Sequence, residues 1–374
     1  MRSVLGEITA LRNGKAPVID RRNSNRYCVV CTEDNGTKTA YCFGVPIYSS
    51  RSKRLLSLQF YENGRVWSAC GSGAAVCVGG EIELADEYGR CTIRLPGVVS
   101  SLSGNRVRCG NAEILPTLNG ILISVSCRAA EPFAVRLFSE QPFMPVRAND
   151  RCFSLMREQF KPFVTVSCLG VLNSAGQMIA PCGLTYQKNS DQEYALTVTH
   201  TSPYGAKLLF EINLHAEKLF QDTTVESRHP DVNNAFGGTA FIGYTAAYGE
   251  QWLYSRPDLS KLPALCDKQI GRAVLHLPRF GGSAALTAFG LHARFCSFGS
   301  RWENRVGAAE KATDAVLSGG YQSLDITGLI TDEARFIKPS EGFILRSTAK
   351  DGGFSAVSTG DSFFAPQILE VNFR

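Results

Sequence analysis

No apolar stretch of the sequence approaches the roughly 20 residues that a membrane-crossing helix requires, so membrane insertion is not expected. The opening, Met1 to Lys15, lacks the apolar core of a secretory signal, and synthesis without a classical signal peptide is expected. Charge of one sign is missing as well: 39 Lys and Arg stand against 34 Asp and Glu, a net charge of +5 with no long run. A nucleic-acid binder would carry a basic stripe and a pI above roughly 9, so no nucleic-acid partner is expected. Catalytic signatures are absent, with no GxSxG elbow, HExxH, GxxxxGK or GxGxxG. The five histidines (His200, His215, His229, His276, His292) are scattered singly. Nothing in the spacing brings one of them to Cys152 or Cys296 as in a thiol enzyme. Residues 231–242 imitate a calcium loop badly: glycine falls one place late, and Ile242 stands where a bidentate Glu belongs. No enzyme activity, cofactor or metal is expected.

What is present is a chain able to build a core. Of its 374 residues 44% are hydrophobic and 20% charged, a composition far from disorder and long enough for two to three domains. Cysteine is abundant, 13 residues, eleven of them before residue 183. Most sit in alternating runs such as Ser124-Val125-Ser126-Cys127, where Cys acts as a small buried hydrophobe. Cys28-Val29-Val30-Cys31 has zinc-ligand spacing, but a second pair at the right distance is missing. Residues three apart on a strand also point to opposite faces. Buried free thiols are therefore expected.

Period-two alternation runs from end to end. Residues 56–60 lead into Asn63-Gly64, a strong hairpin signal, and out through Val66-Trp67-Ser68-Ala69-Cys70. Further alternating runs span 81–84, 91–95, 121–127, 134–138, 194–200 and 208–214. Turn residues punctuate them about every 8–12 residues, the rhythm of sandwiches and barrels. Short helices are expected near Arg151–Phe160, Pro257–Cys266 and Thr331–Phe336, and strand character at Val4 to Thr9. The expectation is an all-β chain of two to three β-sandwich domains in series. They are a Cys-rich part at 1–150, a small sandwich-like segment at 151–216 and a third domain at 217–374.

Over residues 219–374 the chain resembles the DNRLRE domain, the disaggregatase-related repeat family also treated as a carbohydrate-binding module. The resemblance is carried by Asp222-Thr223-Thr224-Val225, Asn233-Asn234-Ala235-Phe236-Gly237 and Ala240-Phe241-Ile242-Gly243. It continues through Trp252 to Leu259, Leu262-Pro263, Ala273 to Leu277, Trp302, Leu324-Asp325-Ile326-Thr327, Gly342 to Leu345 and Ala365 to Phe373. The resemblance implies a jelly-roll-like β-sandwich for this third domain.

Sugar-binding surfaces use ring faces, and tryptophan is scarce here: Trp67, Trp252 and Trp302. Trp252 and Tyr254 are i and i+2, hence on one strand face. With Trp302 they are the candidate carbohydrate-binding residues, and burial would make them core instead. Residues 1–26 carry Arg12, Lys15, Arg21, Arg22 and Arg26 and are expected to meet an acidic face of another subunit, or to form an outer strand of the first sandwich. The function expected is a non-catalytic structural protein that self-associates into an oligomer or lattice, as in a virion, a spore-surface layer or an extracellular filament. The alternative is a carbohydrate-binding module protein with a polysaccharide partner.

Overall fold

The computed structural model describes residues 3–48, 54–56, 58–63, 66–69, 74–77, 79–103, 105–127, 132–147, 149–158, 161–201, 206–334, 340–348 and 353–374. The chain is all-β and its strand pairs are antiparallel. It divides into two compact units. One joins Met1–Leu55 to Glu217–Ala235 and Thr239–Arg374; the other is Leu56–Ala216 with Phe236–Gly238. The first 55 residues thus belong with the C-terminal unit, and residues 56–150 share a unit with 151–216. The expected cuts were at 150 and 216. Pairing between distant strands, invisible to local composition, decides the grouping.

In the C-terminal unit the hairpin Cys28–Thr32 and Lys38–Phe43 lies beside the last strand, Ile368–Phe373, in the register Lys38↔Phe373 to Phe43↔Ile368. That strand pairs in turn with the 13-residue strand Ile270–Gly282. After a register shift between Arg279 and Gly281, the long strand continues into a different neighbour, Phe354–Ser358. Such a bulge bends a strand and lets it pass from one layer to another. At the crossing Gly282 has φ +77, and a Cβ there would meet the Phe354 carbonyl oxygen at 2.0 Å, so only glycine fits. The core combines Val30, Cys42, Leu275 and Leu369 with Ile242, Leu253, Leu345 and Val357. The result is sandwich-like.

The second unit is built the same way from two sheets. One orders the strands Met144–Arg147, Cys152–Glu158, Lys161–Leu172, Lys207–Leu214 and Gly120–Ser126, then continues through Ala112–Pro116. The other runs from Gly183–Lys188 through Glu193–Thr199, Phe133–Ser139 and Gly89–Arg94 to Glu81–Asp86. Ile82, Ile93, Leu137 and Leu196 share one core with Ile114, Ile123, Val166 and Ile212. Phe60–Asn63 pairs with Val66–Ala69 at Asn63↔Val66, as the Asn-Gly signal implies. Gly64 and Cys70 lie outside the described residues.

Two local expectations are corrected. Val4 to Thr9 is not a strand: Val4–Leu11 is an α-helix whose N-cap Ser3 hydroxyl accepts from the Gly6 N–H at 3.1 Å. Val4 and Ile8 are its buried residues, an i, i+4 pair that also falls on an even spacing and so imitates alternation. Arg151–Phe160 is not a helix. Cys152–Glu158 is a strand paired with Lys161–Leu172, buried from Cys152 to Met156 on both faces, which erases the period-two pattern. The other two helical expectations stand in altered form, as 3₁₀ turns at Leu259–Lys261 and Pro263–Leu265 and a helix at Thr327–Ala334; residues 335 and 336 lie outside the described residues.

Candidate functional site

Two places gather the residues singled out from the sequence, both in the C-terminal unit. The first is aromatic. The strand Gly249–Pro257 presents Trp252 and Tyr254 on one face, between Phe220–Glu226 and Phe343–Ser347. Trp302, from a distant loop, packs on Trp252 with ring centroids 4.8 Å apart. The three predicted residues therefore come together, but as parts of a packed cluster. Tyr254 is 0% exposed and Trp252 8%. The Tyr254 hydroxyl donates to the Val306 carbonyl at 2.6 Å, and its ring meets Phe295 at 5.5 Å. The Trp252 indole N–H donates to Glu250 Oε1 at 2.6 Å.

Two arginines cover this cluster. The Arg305 guanidinium lies 4.3 Å from the Trp302 centroid and 5.0 Å from that of Trp252. Arg346 lies 4.4 Å from Trp252 and 5.3 Å from Phe289. Cation–π attraction holds such stacks, and it occupies ring surface that a pyranose would need. Burial pushes the Tyr254 hydroxyl far up, so it stays protonated as a donor. Neither arginine was singled out from the sequence. Arg346 follows the strand residue Leu345, but Arg305 reaches the rings from a loop, which no strand pattern announces.

The second place is a groove of about 870 Å³ beside the C-terminal end of helix Val4–Leu11. Arg12, Lys15, Glu33, Thr39, Tyr41, Glu370 and Asn372 are among its lining residues. Arg12 forms a two-pronged ion pair with Glu33, in which Nη2 and Oε2 are 3.0 Å apart. The Thr39 hydroxyl lies 2.8 Å from Glu33 Oε1 and 2.9 Å from Asn372 Oδ1. On the same face His276 stands between Glu370 (3.1 Å) and Ser323 (2.9 Å). Tyr321 donates to Glu7 of the helix. The hydrogen bond from Arg12 draws the Glu33 carboxyl below its ordinary pKa.

Of the five cations expected to meet another subunit, Arg12 is thus tied inside the chain, its side chain 10% exposed. Lys15, Arg21, Arg22 and Arg26 are exposed. Within the chain, its helix is tied to the C-terminal unit through Glu7–Tyr321 and Arg12–Glu33, and Ile19 forms an antiparallel bridge to Cys31 on the outer side of the hairpin 28–43. Among the described residues no group of three or more His, Cys, Asp or Glu is placed to hold a metal ion. No helix among them is long and apolar enough to cross a membrane. The eleven described cysteines are free thiols, eight of them buried. Cys28 faces the core opposite Cys42, whereas Cys31 belongs to the other strand face, so the CxxC pair does not converge.

No family model matches the chain, and no curated protein matches it. Among solved structures it is similar to a heparinase III at 8% identity and a TM-score of 0.22, over 68% of this chain and 43% of that one. The chain spans less than half of that protein's length.

Proposed function

We propose that this chain is a non-catalytic structural protein that associates with copies of itself in a layer, filament or particle. One observation carries the reading. The polar and aromatic groups gathered in the C-terminal unit are engaged in internal ties: Arg12 with Glu33, Glu370 with His276, and Trp252 with Arg305 and Arg346. Groups held this way stiffen a sandwich and are not themselves poised as the base or nucleophile that catalysis requires. The same reading takes residues 217–374 as a DNRLRE-like jelly roll, with the hairpin 28–43 extending one of its layers.

Electron microscopy of the purified chain, together with light scattering, is the direct test. Regular particles, sheets or filaments are expected. A monomer at every concentration, or turnover of a polysaccharide that disappears when one carboxylate is changed to its amide, would overturn the proposal.

A second reading, a carbohydrate-binding protein, is favoured by the groove beside the N-terminal helix, whose lining is rich in amides, hydroxyls and charges. Affinity electrophoresis through gels containing polysaccharides separates the two readings. Retardation that Asn372→Ala abolishes and Trp302→Ala leaves intact would place sugar in the groove and not on the aromatic cluster.

A further inference from the structure

The strand Gly183–Lys188 ends one sheet of the second unit, with Glu193–Thr199 as its single strand neighbour in that sheet. Its six residues pair without a register shift from Gly183↔Thr199 to Lys188↔Tyr194. Sheet edges in natural proteins are ordinarily blocked by bulges, proline, charge or a covering segment. Other edges here carry such devices. Pro145 interrupts Met144–Arg147, the strand Ala308–Asp314 has two register shifts beside Glu310 and Lys311, and Ile19 bridges to Cys31 along the hairpin 28–43. The strand 183–188 contains no proline and no bulge, its single charge, Lys188, is paired with Asp191, and Thr185 to Lys188 are exposed.

Hydrogen-bond parity shows what this edge offers. The Asn189 N–H donates to the Glu193 carbonyl, so Asn189 and Glu193 form a bonded pair. In an antiparallel ladder bonded and non-bonded pairs alternate, which makes Lys188, Tyr186 and Leu184 the residues whose backbone groups point outward. The Leu184 N–H confirms the phase by donating to the Asp150 carbonyl, off the strand. That bond closes one end of the edge. The N–H and C=O of Tyr186 and of Lys188 remain, with no hydrogen-bond partner among the described residues.

We infer that this edge pairs antiparallel with the same edge of a second copy, about a twofold axis at Gln187. This inference rests on the self-association proposed above and names its contact. In that register Tyr186 faces Lys188 of the other copy and each pair exchanges two hydrogen bonds, so the N–H and C=O groups of Tyr186 and Lys188, four from each chain, are satisfied in four bonds. A twofold at Tyr186 would require the Leu184 N–H that Asp150 already holds. A longer foreign peptide would run past the closed end with groups unmatched. The side chains agree with the register. Directly opposed residues share a sheet face, which sets the Lys188 ammonium against the Tyr186 ring, itself packed on Phe153 at 4.8 Å. Lys188 also holds Asp191 at 2.7 Å, so the two lysines of the pair each bring a counter-charge.

Gln187 then meets its own copy in a non-bonded pair, where Cα atoms stand about 4.5 Å apart, within disulfide reach. The test uses the full chain carrying Cys296→Ser, which removes the one exposed thiol among the described residues. Gln187→Cys and Thr185→Cys are compared on that background under oxidised glutathione. Two thiols close to one interchain S–S bond as glutathione disulfide is reduced to two glutathione thiols. The expected result is a covalent dimer as the majority species for Gln187→Cys and a minor one for Thr185→Cys, with Lys188→Pro shifting the parent towards monomer in light scattering. An oligomeric parent in which Gln187→Cys stays uncrosslinked overturns this contact and leaves the structural reading standing. A parent that is monomeric throughout overturns both.

Discussion

Asp222 is a carboxylic acid in an interior position, and its environment sets a pH signature for the whole chain. It is 5% exposed. Burial pushes its pKa up to about 7, against the opposing pull of hydrogen bonds from the Gly360 N–H and, at 3.0 Å, the Gln367 amide. Between its ordinary value of 3.8 and about 7 the folded chain binds this proton more tightly than the unfolded one. Its contribution to stability is therefore complete below about pH 4, is lost as pH rises to 7, and is flat above that. Asp222→Asn, which resembles the protonated form, is expected to match the wild type near pH 4 and to exceed it at pH 8 by up to about 4 kcal/mol. Urea denaturation at both values measures the difference, and equal gaps at the two would exclude the mechanism. The thiols have a signature at the same scale. Burial raises the pKa of Cys31, Cys91 and Cys109, which suppresses the reactive thiolate. A disulfide reagent is expected to titrate Cys296 rapidly in the native chain, and the buried thiols only after denaturation.

At the scale of elements, the N-terminal helix is the addition that local alternation did not reveal. It is capped by Ser3, buries Val4 and Ile8, and is tied at its two ends by Glu7–Tyr321 and Arg12–Glu33. Deleting residues 1–14 is expected to lower the melting temperature without changing the mass of the assembly. Arg12→Ala alone should cost about 1–3 kcal/mol, since it leaves Glu33 without its charged partner. A lower mass on deletion, with the melting curve unchanged, would return this segment to the role of an intersubunit arm. The strands were legible where one face is wet, as in Glu81–Asp86 and Glu193–Thr199, because burial alternates there. Cys152–Glu158, dry on both faces, read as a helix, whereas Gly120–Ser126 and Lys207–Leu214, equally dry, stayed legible because apolar and polar residues still alternate along parts of them. The aromatic cluster was half legible. Spacing put Trp252 and Tyr254 on one face, but only tertiary packing adds Arg305 and Arg346. The open edge at Gly183–Lys188 could not be read locally at all, since sheet order alone decides which strand lies last.

For the whole molecule, the pairing of Lys38–Phe43 with Ile368–Phe373 joins distant residues such as Thr39 and Asn372, which are 333 positions apart. A ribosome has released the second unit in full long before it makes the strand that closes the first. The N-terminal hairpin must therefore wait, with its apolar side uncovered, while residues 56–216 collapse on their own contacts. Closing so large a loop is slow, because chain entropy is lost before the long-range contacts repay it. Pulse-labelling by hydrogen exchange during refolding should show amides of 106–126 and 161–214 protected first, and those of 28–43 and 368–373 together and last. Simultaneous protection of all four segments would contradict this order. The late closure is a timing device as well as a seam: a nascent chain cannot complete its C-terminal sandwich until synthesis has reached the final strand.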